Sequence, residues 1–327
     1  MPAPEPAPNR PGRLVGADSE QATSSATSAA ELQAGQFGNA AATTEPSPEP
    51  AQRRRRRKAG VLFYSCLAWL VLVVVVAITA PWLPIPGPDA IDIPNRQAPP
   101  FTAGHLLGTD GLGRDIASRL AYGARVSLII SIAAVVTGIV VGGTLGMVVG
   151  YFRGRIETVV MAAVDVILAF PALVLLLALV AFVGQSLTAI TAVIAFVSIP
   201  FYARVARATT LAVSQREYVL AAGLLGARTR RILFREIMPN VILPVAAFGL
   251  IALGVVIVLE GSLAFLGLSV QAPAATWGSM IAEGRRYLDS DAHIALIPSV
   301  VMFLTVLSLN FVGDVLRSRF DVREANL

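Results

Sequence analysis

The chain of 327 residues is 55% hydrophobic and only 14% charged, with a mean hydropathy of +0.69. That is too little polar surface to cover a soluble globule of this size. The formal charge of +5 is the difference between 26 basic and 21 acidic residues, so the placement of charge says more than its sum.

Scarce residue types remove several functions. Lys58 is the single lysine, and it ends an arginine run with none of the glycines of a phosphate-binding loop, which excludes an ATPase site of that kind. Cys66, the single cysteine, cannot form a disulfide within the chain, and with His105 and His293 it cannot furnish a three- or four-ligand zinc site.

Residues 1 to 52 are rich in Pro, Ala, Ser, Thr, Gln and Glu, and they hold too few large apolar side chains to offset the entropy of folding. A disordered cytoplasmic tail is therefore expected over 1–58, ending in the basic run Arg53 to Lys58. That run abuts Val61 to Ala80, an uncharged stretch long enough to cross a bilayer core of about 30 Å at about 1.5 Å per residue. Next to a span, the arginines are read as holding the N-terminus in the cytoplasm, and no nucleic-acid partner is expected.

Region 59–123 holds this first span and an extracytoplasmic segment. Within it "GTDGLGRD" is a glycine-punctuated turn whose Asp110 and Asp115 are placed to cap a following helix. His105 has no second histidine or cysteine nearby, so it is read as a structural group and not as a metal or proton site.

Region 124–327 carries five more apolar runs, Val126 to Phe152, Val159 to Val183, Leu187 to Ala203, Val241 to Leu268 and Ile294 to Val312. The fold class is thus an all-α membrane protein with six transmembrane helices, bent by Pro171, Pro200 and Pro298. Glycine-rich stretches such as "TGIVVGGTLGMVVG" let helix backbones approach closely. Charge fixes the orientation. The connection 204–240 has seven arginines against Glu217 and Glu236, whereas 81–123 has three arginines against four aspartates, so the former and both termini are placed in the cytoplasm. Asp110 and Trp277 are then placed outside.

Within that cytoplasmic connection, Glu217 to Gly226 reads as a short helix ended by its glycine. Tyr218, Ala222 and Leu225 would share one face, while Ala221 and Gly223 keep part of the helix slim. Two readings fit this pattern. The helix lies on lipid headgroups with Arg228, Arg230, Arg231 and Arg235 on their phosphates, or it docks a cytoplasmic partner. In the spans, Asp165 and Glu260 stand out because an unpaired carboxylate in lipid costs several kcal/mol. They are read as groups at a pathway mouth or a helix or subunit interface, since the spans offer no lysine or histidine to complete a proton relay. Arg204, Arg207, Asp314 and Arg317, near the inner ends, would pair with headgroups or with each other.

The segment "EYVLAAGLLGA" followed by "RILFREIMPN" resembles the cytoplasmic loop of ABC-importer permeases, matching it at Ala221, Ala222, Gly226 and Pro239 and departing from it at Leu220 and Glu236. "HLLGTDGLGRDIASRLAYGARVSL", "LEGSLAFLGLSVQAPAATWGSMIAEG" and "NFVGDVLRSRFD" resemble segments of the C-type permeases for dipeptides and oligopeptides. The resemblance covers nearly everything after Lys58.

It implies a type I ABC importer permease fold in the cell membrane, working by alternating access, with an ATPase-coupling helix that includes Glu217, Tyr218, Ala221, Ala222, Gly226 and Pro239. It also implies a homologous B-type permease, two cytoplasmic ATPases using ATP and Mg, and an extracytoplasmic substrate-binding protein, with no cofactor bound by this chain. Nickel and glutathione permeases share these signatures and remain alternatives. A secondary transporter independent of ATP would call for inverted repeats or more polar residues along the spans.

Overall fold

The computed structural model describes residues 50–324. The reading of residues 1 to 49 as part of a disordered tail lies outside them. Lys58–Leu327 forms one compact unit.

The basic run and the first apolar run make one helix, α1 (Pro50–Thr79), closed by a 3-10 turn at Ala80–Trp82. After an irregular segment, Asp115 caps α2 (Ile116–Thr137) by accepting from the Ser118 N–H at 2.7 Å, the role the turn sequence assigned to it. The second span therefore begins at Ile116 and not at Val126. A π-helical turn at Gly138–Gly142 joins α2 to α3 (Gly143–Phe152).

The third apolar run folds as two helices, α4 (Arg155–Ala169) and α5 (Ala172–Val183), broken at Pro171 and meeting at 90°. Pro171 lacks an amide donor and forces the residue before it out of the helical region, and Phe170 accordingly lies at φ −81°, ψ 138°. Neither piece has the ~20 residues that a helical crossing needs. Among the described residues five helical stretches are long and apolar enough to span a membrane, and counting the bent pair as one gives six.

The fourth span, α6 (Leu187–Val213), runs well past Ala203, so Arg204 and Arg207 ride on a helix and not in a loop. Then come α7 (Glu217–Leu224), one turn of α8 (Thr229–Arg231), a π-helical turn at Ile232–Ile237, and α9 (Met238–Phe265). The chain ends with α10 (Trp277–Gly284) and α11 (His293–Glu324).

Between lipid-facing helices there is no water to expel, so close packing must hold them together. The α3–α6 seam shows how. Gly142, Gly146 and Gly150, four residues apart, put one bare stripe of the π-helical turn and α3 against Ile199, Ala203, Ala206 and Arg207 of α6, and a Cβ at Gly146 would stand 2.9 Å from the Ala206 Cβ. Around this seam lies a core of Ile130, Leu176, Ile190, Ile194, Tyr202 and Ile237, with Tyr202 edge-on to Phe248 at 5.4 Å. A second cluster gathers Ile116, Ile257, Trp277, Met280 and Ile294 at the opposite ends of the spans from α7. Trp277 is buried there, its Nε1 donating to the Leu120 carbonyl at 3.2 Å.

Candidate coupling surface and outer charge cluster

The sequence-predicted helix is present as α7 and ends as its glycine requires. The Gly226 N–H donates to the Gly223 carbonyl and the Ala227 N–H to the Ala222 carbonyl, both at 3.0 Å, with Gly226 at φ +78°. This is the paired-bond C-terminal cap in which a left-handed residue satisfies the last carbonyls, and glycine adopts that conformation without a Cβ clash. Glu217 occupies the first turn, where a negative charge favours the helix dipole.

The residue that anchors α7 is Val219, which is buried, and it was absent from the sequence candidates. Tyr218 and Ala221 are exposed and Ala222 is half-buried, so the helix presents most of its predicted face to the outside. A Cβ added at Gly223 or Gly226 would meet no atom within 4 Å, so this side of the helix is open. Leu224 and Leu225 are 90% and 88% exposed, the most open apolar side chains of this region. Asn240 bridges the helix to the start of α9, donating to the Tyr218 hydroxyl at 3.1 Å and to the Glu236 carbonyl at 2.6 Å, while Pro239 is exposed in the first turn of α9.

Two ion pairs tie α6 to α4 at this end. Arg204 meets Asp165 at 2.5 Å and Arg207 meets Glu157 at 2.5 Å, and Arg153 donates to the Ser214 hydroxyl at 3.2 Å. Asp165 is thus an exposed partner of Arg204 within the chain. Asp165 and Glu260 are far apart in role as well as in place. Glu260 is buried in the last turns of α9, a whole span from α7, and accepts from the Ser269 hydroxyl at 2.8 Å, fastening the segment after the helix.

At that far end the structure assembles a charge cluster that no single sequence segment revealed. Asp110 accepts from Arg114 Nε at 2.7 Å and from the Leu112 and Arg114 amides at 2.8 and 3.0 Å. Glu283 reaches Arg114 at 2.6 Å and Arg119 at 3.2 Å. Next to it His105 places Nδ1 2.9 Å from Asp115 and Nε2 3.4 Å from Asp92. The Asp115 hydrogen bond, with Asp92 adding to it, raises the His105 pKa above its ordinary value against the opposing effect of burial. The Asp92 carboxyl is lowered by its bond to Asn95 and then by His105.

The family described as binding-protein-dependent transport system inner membrane component matches residues 138–325. The chain belongs to this family. Among similar inner-membrane components is the glutathione transport system permease protein of Pectobacterium atrosepticum, 37% identical over 77% of this chain and 84% of that one. The di/tripeptide transport system permease protein of Pseudomonas aeruginosa is 36% identical over 80% and 88%, respectively. The probable D,D-dipeptide transport system permease protein of Escherichia coli is 36% identical over 77% and 84%.

A solved chain of the methionine ABC transporter MetNI, in an inward-facing form, superposes with a TM-score of 0.53 at 19% identity, covering 62% of this chain and 96% of that chain. The inner-membrane component therefore has the fold of an ABC importer permease. Its match begins inside the second span, at the π-helical turn, so α1 and the segment after it stand outside the family match.

Proposed function

We propose that this chain is a transmembrane subunit of an ATP-driven importer of di- and oligopeptides, working by alternating access. It pairs with a homologous permease in a complex with two cytoplasmic ATPases, docks one of them through α7, and faces an extracytoplasmic binding protein at the opposite end. The observation that carries this reading is the exposed apolar end of α7, where Leu224 and Leu225 stand almost free on a rigidly capped helix. Apolar side chains left open beside arginines call for a protein partner more than for water. The arginine bias puts α7 in the cytoplasm with both termini.

Closure of the ATPase pair would push α7, and the push would reach the spans through the Val219 anchor, Asn240 and the start of α9. Peptide as the substrate is supported by the names of the relatives. The glutathione permease favours a second reading of the same kind, because glutathione is itself a small peptide.

The test is uptake of labelled dipeptide, glutathione and nickel in a strain lacking this subunit. Loss of dipeptide uptake, restored by the wild-type gene, is the expected result. Loss of nickel uptake alone would make the peptide assignment wrong and leave the permease standing.

A further inference from the structure

Two cavities share Phe265 and Leu266, at the end of α9. The outer one, about 570 Å³, is lined by Asp110, Arg114, Arg119, Glu283, Arg285 and Arg286. The second, a more open apolar groove of about 390 Å³, is lined by apolar groups including Leu173, Val258, Gly261 and Met302, with Val258 45% exposed. Volumes of this order suit a small ligand.

In the outer cavity both acids are already engaged, Asp110 and Glu283 each with Arg114 and Arg119. Arg285 and Arg286 enter no ion pair among the described residues, and the Arg285 guanidinium stands 4.6 Å over the Phe265 ring. Surplus positive charge is thereby held on the very side chain that both cavities share. Leu173, in the apolar groove, lies just past the break at Pro171, and an interrupted helix in a membrane is tolerated where it borders a cavity.

We infer that the adjoining cavities receive a short peptide, its terminal carboxylate on Arg285 and Arg286 and an apolar side chain in the apolar groove. This rests on the peptide-import reading above. A carboxylate leaving water needs charge-assisted donors, and guanidinium groups supply them in a paired geometry. An apolar side chain gains by leaving water for the cavity lined by Val258 and Met302. The two ends of one small molecule therefore match two adjoining environments, which neither a free anion nor a purely apolar solute would do.

The experiment uses the complete transporter in nanodiscs, with its binding protein loaded with alanyl-photoleucine, a dipeptide whose side chain carries a diazirine. Irradiation during turnover should label residues 261–266, and Arg285→Ala/Arg286→Ala should cut that labelling about tenfold or more, with partial recovery in Arg285→Lys/Arg286→Lys. Assembly is scored separately by co-purification, and Leu266→Trp, which fills the shared mouth, should lower labelling independently.

Unchanged labelling in the double alanine variant, or wild-type labelling placed elsewhere in the spans, overturns the inference while peptide import stands. The same holds if a photoreactive anionic lipid labels 261–266 and dipeptide does not displace it. Failure of the wild-type transporter to accumulate dipeptide at all would overturn the import reading itself.

Discussion

Arg114 and Glu283, 169 positions apart, close to 2.6 Å and join the segment after the first span to α10, the short helix before the last span. Arg114 and Arg119 are both buried, and Glu283 answers both, so the carboxylate holds two guanidinium groups away from full solvent. Since Glu283 itself is 47% exposed, solvent screens part of the effect. Removing it in Glu283→Ala should destabilise the outer assembly by about 1 to 3 kcal/mol, and Glu283→Gln by less, because the amide keeps an acceptor. Thermal unfolding of the purified complex reads the difference. Equal melting of wild type and Glu283→Ala would remove the cluster from the stability of the fold.

His105 should make this same segment sensitive to pH. A neutral imidazole donates from one nitrogen only, yet both ring nitrogens of His105 face carboxylates, so the protonated ring satisfies both. Its folded pKa lies above the ordinary 6.5, so the stabilisation is complete below about pH 6.5 and is lost as pH rises through the raised value. Asp92 acts with the opposite sign, its contribution being present above the ordinary 3.8 and lost as pH falls through its lowered value. Relative to the intrinsic, base-catalysed rate of amide exchange, protection over residues 90–116 should therefore fall on the alkaline side in wild type, and His105→Gln should flatten that dependence.

At α7 the structure separates two kinds of small residue. Gly226 is needed for its left-handed backbone, so Gly226→Ala should weaken the cap by about 1 to 2 kcal/mol and Gly226→Asn by less, whatever docks there. Ala222 and the exposed leucines report on docking. Leu224→Asp and Ala222→Trp should reduce recovery of the ATPases with the permease without preventing membrane insertion. Full recovery and full uptake in both variants would move the docking surface elsewhere.

The glycine seam offers a packing test. Gly146→Val would drive a branched side chain into Ala203 and Ala206, and overpacking of this kind costs about 1 to 3 kcal/mol or more. Gly143, on the same helix but with only Val245 within reach of an added Cβ, at 3.9 Å, should accept alanine with little effect. Comparing the yields of folded Gly146→Val and Gly143→Ala checks the seam.

Orientation can be read with single cysteines in a Cys66→Ser background. Asp110 and Trp277, the positions that the sequence placed outside, are buried, so Phe101, 83% exposed, and Leu112, 49% exposed, are the usable outer sites. Both should label from outside intact cells with an impermeant reagent, and position 224 should not. Labelling at 224 from outside would invert the topology.

Much of this architecture is legible in the sequence because membrane helices announce themselves locally. An uncharged run of span length, an aspartate before a helix and a glycine after one each act over a few residues, and Asp115 and Gly226 do what their neighbours imply. The right-angle turn at Phe170 is only half legible, since Pro171 dictates a break but the angle follows from packing. Val219, the Asp165–Arg204 pair and the Arg114–Glu283 contact were not legible. Each depends on which helices meet, and their partners lie too far away in the chain for any spacing rule to find.

The most direct measurement is uptake of labelled dipeptide into proteoliposomes holding the complete complex, with ATP supplied on the α7 side and loaded binding protein on the other. Accumulation should require both, and should stop when the partner ATPases carry an inactivating substitution. Accumulation driven by an ion gradient with ATP absent, or persisting with inactive ATPases, would contradict the assignment of this chain as the permease of an ATP-driven importer.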